Sequence, residues 1–434
     1  MPYPFIQKLF IKHYKNLTMN EAVSLHRLNI LIGPNCCGKS NFLALFQFLT
    51  ECVTAGVDIG PTGFETALDH LGGAKILDGK IARPERVLMA FEWRSSDVMP
   101  SNNVLELDLN IPTDGRRVTL YRELLYTTSA ADKTTDKPFY YYQCHEKESG
   151  KGVVSLFNQK SPKEGHHFES VDNVPINELA LISLPKLLEN STISPEQAPL
   201  YKVRRHLMET VAQWRFYNAN YMNLTKILNS EPKIGGQETL LSASGENLSL
   251  ILFNLSNQTI DFEETINQAM KTILPTTRRV RAIPSGRLAL TIEWYFEGIE
   301  EPFYLNEMSD GAVRMLCWAI ILNSPRLPPL LVIDEPELGI HVAWMKSLAA
   351  WIKKAARKTQ VIVTTHSPDL LDHFTEHLEN VLCFCREKDH FSPKPLSRQR
   401  LSKALEEGWQ LGDLYRVGDP NSLSHFCTLL ECKL

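Results

Sequence analysis

Apolar and polar positions alternate along residues 5–14, with Ile6, Leu9 and Ile11 among the apolar ones, as in a strand. A second apolar run, Leu28–Ile32, is strand-like and leads directly into a glycine-containing loop. Between Ser40 and Cys52 the period changes. Phe42, Leu43, Leu45, Phe46, Phe48 and Leu49 predict a helix buried on nearly every side. Strand patterns return at Arg86–Trp93 and Val104–Leu109. The stretch from 127 to 170 is polar, rich in Lys, Ser, Thr and Gly, and reads as a hairpin or surface insertion. From 195 to 230 the pattern turns helical, with Leu207, Val211, Trp214, Phe216 and Tyr217 set among charges. Asn247–Asn257 is a second helical segment, and Arg287–Phe296 alternates like a strand. From residue 305 onward helix and strand succeed one another three times, through Leu330–Ile333, Val361–Thr365 and Asn380–Cys385. That succession predicts an α/β fold with a parallel sheet. No internal repeat or low-complexity tract interrupts it.

Composition narrows the class. The chain has 434 residues, 43% of them hydrophobic and 22% charged, which is ordinary globular material with ample core. A net charge of −4 gives no overall basic field for nucleic acid, so any such surface must be local. No apolar run reaches the roughly 18 residues that a bilayer demands, and no membrane partner is expected. The opening residues, Met1-Pro2-Tyr3-Pro4-Phe5, lack the basic-then-apolar layout of a secretory leader. Nine scattered cysteines suit a reducing, cytoplasmic setting. Cys383 and Cys385 alternate with Leu382 and Phe384, the pattern of a core strand rather than a zinc site.

Three separated segments carry the chemistry. Gly33-Pro34-Asn35-Cys36-Cys37-Gly38-Lys39-Ser40 follows a strand and opens a helix. Glycines let backbone N–H groups turn toward phosphates, and the helix N-terminus adds positive potential. Lys39 is expected to reach the β- and γ-phosphates, while the Ser40 hydroxyl holds Mg2+. Asp334 and Glu335 leave the end of the buried run Leu330–Ile333. Asp334 is the second expected Mg2+ contact, and Glu335 the expected general base for an attacking water. His366 follows the third apolar strand and sits beside Ser367-Pro368, where it could donate to a γ-phosphate. Ser309, Asp310 and Gly311 begin a further helix whose open N–H groups could meet an anion. These features predict a chain that binds ATP and Mg2+ and hydrolyses ATP.

The chain resembles the RecF/SMC/OLD-like branch of ABC-class ATPases, in particular prokaryotic AAA_21-type proteins. The likeness rests on Gly33–Asn41, Ser309-Asp310-Gly311, Asp334–His341 and Thr365–Pro368, and covers roughly residues 1–110 and 240–400. It implies an ABC-type P-loop ATPase head, with a parallel core sheet, an antiparallel sheet and a helical insertion. Residues 1–180 would form the N-terminal part of the head, 181–240 the helical insertion, and 241–434 the C-terminal part with a short tail. The nucleotide-binding set is then Gly33, Pro34, Asn35, Cys36, Cys37, Gly38, Lys39, Ser40, Asn41, Ser309, Asp310 and Gly311. Glu335 and His366 are the catalytic pair. Two heads would sandwich ATP, with Ser309 and Gly311 of one reaching the γ-phosphate held by Lys39 of the other, giving a dimer or higher even oligomer. Cys36 and Cys37 stand where relatives have small residues, and their thiols at a helix start invite the expectation of reactivity.

Similar proteins include the ATPase subunits of antiphage systems such as Septu, PARIS and retron-associated modules. That likeness implies a sensor subunit controlling a separately encoded nuclease or toxin, with DNA or a phage protein as trigger. No Glu-then-Asp-x-Asp constellation of a built-in nuclease follows residue 380. Two other readings stand beside it. A stand-alone RecF-like DNA-repair ATPase would use Arg204, Arg205, Arg278, Arg279, Arg281 and Arg287 on phosphates. A scaffold would hold ATP and barely hydrolyse it.

Overall fold

The computed structural model describes residues 4–54, 61–76, 86–96, 99, 101–112, 117–130, 138–147, 151–157, 168–188, 199–396 and 398–417. The chain folds as two compact units, and neither is contiguous in sequence. The first comprises Met1–His26, Gly33–Trp214 and Cys383–Pro395. The second comprises Arg27–Ile32, Arg215–Leu382 and Leu396–Leu434.

The first unit is built on an eight-stranded antiparallel sheet. Its strands run in the order Val23–Ser24, Ile6–Lys12, Arg86–Trp93, Asn103–Asn110, Thr119–Ala130, Pro138–Glu146, Gly152–Phe157 and Phe168–Val174. From Arg86 onward each strand pairs with the next, so the segment is a meander of hairpins. Alternation decides the faces: Val87, Met89, Phe91 and Trp93 are buried, while the residues between them are less so. The helix Lys39–Thr54 packs its aromatic side chains there, with Phe46 edge-on to Phe91 at 6.3 Å and 5.9 Å from Trp214. Burying one such phenylalanine stabilises by about 1.5–3 kcal/mol. The polar stretch 127–170, read as a hairpin or surface insertion, consists where it is described of strands of this sheet paired in antiparallel sequence. Residues 131–137, 148–150 and 158–167 of that stretch lie outside the described residues.

The second unit contains four parallel strands in the order Arg215–Asn218, Leu330–Asp334, Gln360–Thr364 and Leu28–Ile32. Leu330–Asp334 and Gln360–Thr364 are buried almost throughout, as strands covered on both faces must be. The helix Met345–Ala356 makes the crossover between them. Asp310–Asn323 supplies a second, almost wholly buried helix. A small antiparallel sheet of Thr277–Ser285, Ala289–Phe296 and Phe303–Tyr304 completes the unit with the helices Leu248–Gln258 and Phe262–Ile273.

One expected element changes type. The helical pattern over 195–230 is a helix only at Pro199–Ala212 and Leu224–Asn229, and Arg215–Asn218 between them is a strand. Four residues are too few for periodicity to declare themselves, and pairing with Leu331–Asp334 decides the conformation.

Candidate functional site

The glycine loop belongs to the first unit and is shaped by backbone that ordinary residues resist. Gly33 has φ +151° and Gly38 has φ +102°. A Cβ on Gly38 would lie 2.6 Å from Leu17 Cδ2 and 2.7 Å from Asn16 Oδ1. Only glycine fits there. Cys36 also adopts a left-handed conformation, φ 63°. The Lys39 side chain is buried and curls back over the loop, its Nζ donating to Gly33 O at 2.9 Å and Pro34 O at 3.0 Å. Carbonyl oxygens thus gather the ammonium where the loop turns, and Ser40 beside it is exposed. Asn16 was not foreseen. Its Nδ2 donates to Cys36 O at 2.8 Å, and its Oδ1 accepts from Asn41 Nδ2 at 2.8 Å, tying the loop to the start of the helix. Nothing in the sequence marks Asn16, because its part depends on a turn in which His13 and Lys15 are both left-handed.

The carboxylates and the histidine meet in the second unit. Strand register places Asn218, Asp334 and Thr364 side by side at the ends of three adjacent strands. Asp334 Oδ2 accepts from Asn218 Nδ2 at 2.8 Å, and Oδ1 accepts from the Thr364 hydroxyl. Thr364 Oγ1 also accepts from Glu335 N at 3.0 Å. Glu335 is held in a left-handed conformation, φ 49°, of the kind that concentrates at functional sites. Its Oε1 lies 3.5 Å from His366 Nε2. Two residues on, Glu337 Oε1 accepts from Thr365 Oγ1 at 2.7 Å, His366 N at 2.8 Å and Ser367 N at 3.2 Å. Burial pushes the Glu337 carboxyl above its ordinary range, the hydrogen bonds from Thr365 and His366 oppose this, and the nearby Glu335 charge adds to it.

Ser309 and Asp310 are exposed at the start of the helix Asp310–Asn323, and the Ser309 hydroxyl caps it by accepting from Ala312 N at 3.3 Å. A Cβ on Gly311 would approach Gly339 O and Trp344 Cζ3, each at 3.2 Å, so this helix start packs against the turn that follows Glu335. Arg314, one turn along, donates to Ala219 O at 2.6 Å, and Ala219 N donates in turn to Asp334 O at 3.2 Å. Asp334, Glu335 and His366 therefore form one cluster. Ser309–Gly311 joins it through Arg314 and the Gly339 turn, and Gly33–Asn41 is placed within the first unit.

The other expectations are met at some residues and not at others. Cys37 is buried, and burial raises its thiol pKa against the opposing effect of Lys39, so it is not an activated thiolate. Cys383 and Cys385 are fully buried in the strand Val381–Glu387. Among the arginines proposed for phosphate contact, Arg279 pairs with Glu263 at 2.6 Å and Arg281 with Glu293 at 2.8 Å. Arg204 donates to the carbonyl oxygens of Leu181 and Ile182. Those three are occupied within the protein. No helix among the described residues is long and apolar enough to cross a membrane.

Residues 206–372 match the AAA_21 family model, whose description reads "AAA domain, putative AbiEii toxin, Type IV TA system". No curated protein matches the sequence. Solved structures similar to the chain include heads of SMC proteins. An SmcHead bound to the C-winged helix domain of ScpA is 14% identical, covers 92% of this chain and 100% of its own, and superposes with a TM-score of 0.52. An Smc head domain with an extended coiled coil, bound to the C-terminal domain of ScpA and derived from Pyrococcus furiosus, is 13% identical over 93% of this chain and 99% of its own, with a TM-score of 0.49. The SMC head domain from Thermotoga maritima is 11% identical over 90% and 99%, with a TM-score of 0.44. The first likeness is one of fold: the chain folds as an SMC head does.

Proposed function

We propose that this chain, whose fold is that of an SMC-like, ABC-class P-loop ATPase head, binds Mg-ATP and hydrolyses it to ADP and phosphate. The observation that carries the reading is the cluster of Asp334, Glu335 and His366, held by Asn218 and Thr364 at the ends of parallel strands. Gly33–Asn41 binds the phosphates through backbone N–H groups, with Lys39 adding charge. The exposed Ser40 hydroxyl in the first unit and the Asp334 carboxylate in the second are each oxygen donors of the kind Mg2+ prefers, and the ion would neutralise phosphate charge. Glu335 takes a proton from the water that adds to the γ-phosphorus as the bond to the β-phosphate oxygen breaks. His366, whose Nε2 lies 3.5 Å from Glu335 Oε1, would be the donor to the γ-phosphate.

Two heads close around ATP in this proposal. The exposed Ser309 and Asp310, with Leu338 and the 53%-exposed Val342 of the following turn, are the surface offered to the partner copy. Hydrolysis separates the pair. The biological output is the control of a separately encoded nuclease or toxin in an antiphage complex, a reading in keeping with the toxin–antitoxin wording of the family that residues 206–372 match. In the DNA-repair alternative, Arg279 and Arg281 would have to exchange Glu263 and Glu293 for phosphates. The scaffold alternative leaves the placement of Glu335 against His366 without a purpose.

Nucleotide binding and turnover by the full chain decide between these. Lys39→Ala is expected to abolish ATP binding, whereas Glu335→Gln binds ATP and accumulates the paired form by size-exclusion chromatography. Equal ATP affinity in Lys39→Ala and wild type would refute the binding site. Purification with the neighbouring gene products tests the output: activity in cells lacking them rules out the effector reading.

A further inference from the structure

Glu337 lies outside the expected site, yet the protein invests more in it than in either neighbouring acid. Its Oε1 gathers three donors from three consecutive residues: the Thr365 hydroxyl, His366 N and Ser367 N. Its Oε2 is buried without a hydrogen-bond partner among the described residues. A largely enclosed acid held this way costs solvation, so its placement demands a return. The return lies in what those donors are. Thr365–Ser367 is the short passage from the strand Gln360–Thr364 to the helix Pro368–Asp372. Ser367 closes it from the other end, its hydroxyl accepting from Leu370 N at 3.2 Å. Between these anchors the His366 N–H donates to Glu337 Oε1 at 2.8 Å. The imidazole is then directed at Glu335 Oε1, 3.5 Å from Nε2. Glu337 also belongs to the turn after the acids, where Ile340 N donates to Glu337 O at 3.1 Å. The same residue therefore fixes the general base's turn and the histidine's passage.

We infer that Glu337 is the positioning residue of the His366 loop, setting the distance between His366 and Glu335 and hence the rate of hydrolysis rather than the affinity for nucleotide. The inference rests on the reading above that Glu335 and His366 act in hydrolysis. Glu337 itself touches no reacting atom. An aspartate, one methylene shorter, would not reach all three donors, whereas a glutamine keeps an acceptor oxygen in place.

The test is steady-state ATP hydrolysis with Mg2+ by the full chain, together with equilibrium binding of ATP. A misplacement of about 1 Å costs on the order of a hundredfold in rate, so Glu337→Ala should lower kcat by roughly ten- to a hundredfold. KM and the ATP dissociation constant should stay within about twofold, and Glu337→Gln should recover most of the loss. The decisive readout is a double-mutant cycle. In a His366→Ala background, Glu337→Ala should cost less than about twofold more, because the residue acts through the histidine. Losses that multiply in the double variant, or a wild-type kcat in Glu337→Ala, overturn the inference. Should Glu337→Ala fail to fold, Glu337→Asp carries the same cycle with the charge retained. A wild-type protein without turnover, or turnover indifferent to Glu335→Gln and His366→Ala, sinks the hydrolytic reading and this inference with it. Turnover sensitive to both but indifferent to Glu337 removes this inference alone.

Discussion

Each of the two units encloses one glutamate in backbone N–H groups, and the two cases differ in what the donors do next. In the second unit Glu337 holds the passage that carries His366. In the first, Glu123 lies on the strand Thr119–Ala130 with 1% of its surface exposed. Its Oε2 accepts from Ala180 N at 2.6 Å, and its Oε1 accepts from Leu181 N at 2.9 Å and Tyr142 Oη at 2.5 Å. Those amides open the helix Ala180–Leu188, whose free N–H groups need acceptors. Burial pushes the Glu123 carboxyl up to about 7, the bonds from Tyr142, Leu181 and Ala180 oppose this, and Glu178 pushes it further. Both acids are therefore perturbed the same way for the same reason. Perturbation alone does not mark a functional site. The neighbours decide: Glu123 faces Tyr142, Cys144 and Cys52, which serve the core, while Glu337 faces a histidine aimed at another carboxylate.

That contrast can be broken by experiment. The largest effect belongs to the second unit: Glu335→Gln should lower kcat by roughly a hundred- to ten-thousandfold while the melting temperature stays at the wild-type value. A stability loss equal to the activity loss would erase the distinction. Glu123→Ala should do the reverse, removing the acceptor of three buried donors and costing about 3 kcal/mol in denaturant unfolding, with kcat per folded molecule unchanged.

The pH dependence of stability sharpens the comparison further. The folded Glu123 pKa of about 7 lies above its ordinary 4.5, so the folded state holds the proton more tightly. The resulting stabilisation is complete below about pH 4.5 and is lost as pH rises through 7, a change of about 3 kcal/mol. Measured as the difference between wild type and Glu123→Gln, which cannot titrate, the advantage of wild type should shrink across that window. A flat difference excludes the assignment. The smallest effects are expected at the partly exposed pairs of Arg279 with Glu263 and Arg281 with Glu293. Removing either arginine should change stability by less than about 1 kcal/mol.

Legibility followed locality. Asp334, Glu335 and His366 announce themselves because each ends an apolar strand, and strand-end position is a property of a few consecutive residues. Asn218 holds Asp334 just as directly, yet its strand is read as helix, since only pairing with Leu331–Asp334 makes Arg215–Asn218 extended. Asn16 is unmarked, and Glu337, though it falls within the Asp334–His341 motif, carries no sign of its role, for related reasons. One depends on a turn of left-handed non-glycine residues, the other on a loop 28 positions away along the chain.

The sequence by itself determined the α/β class, the glycine loop with its lysine, and the acids and histidine at strand ends, because hydrophobic period and glycine conformation are short-range physics. Tertiary structure alone decided which side chains hold those groups in place. Asn218, Thr364, Asn16 and Glu337 act through hydrogen bonds between residues distant in the chain, and such bonds exist only once burial has made every unpaired polar group costly.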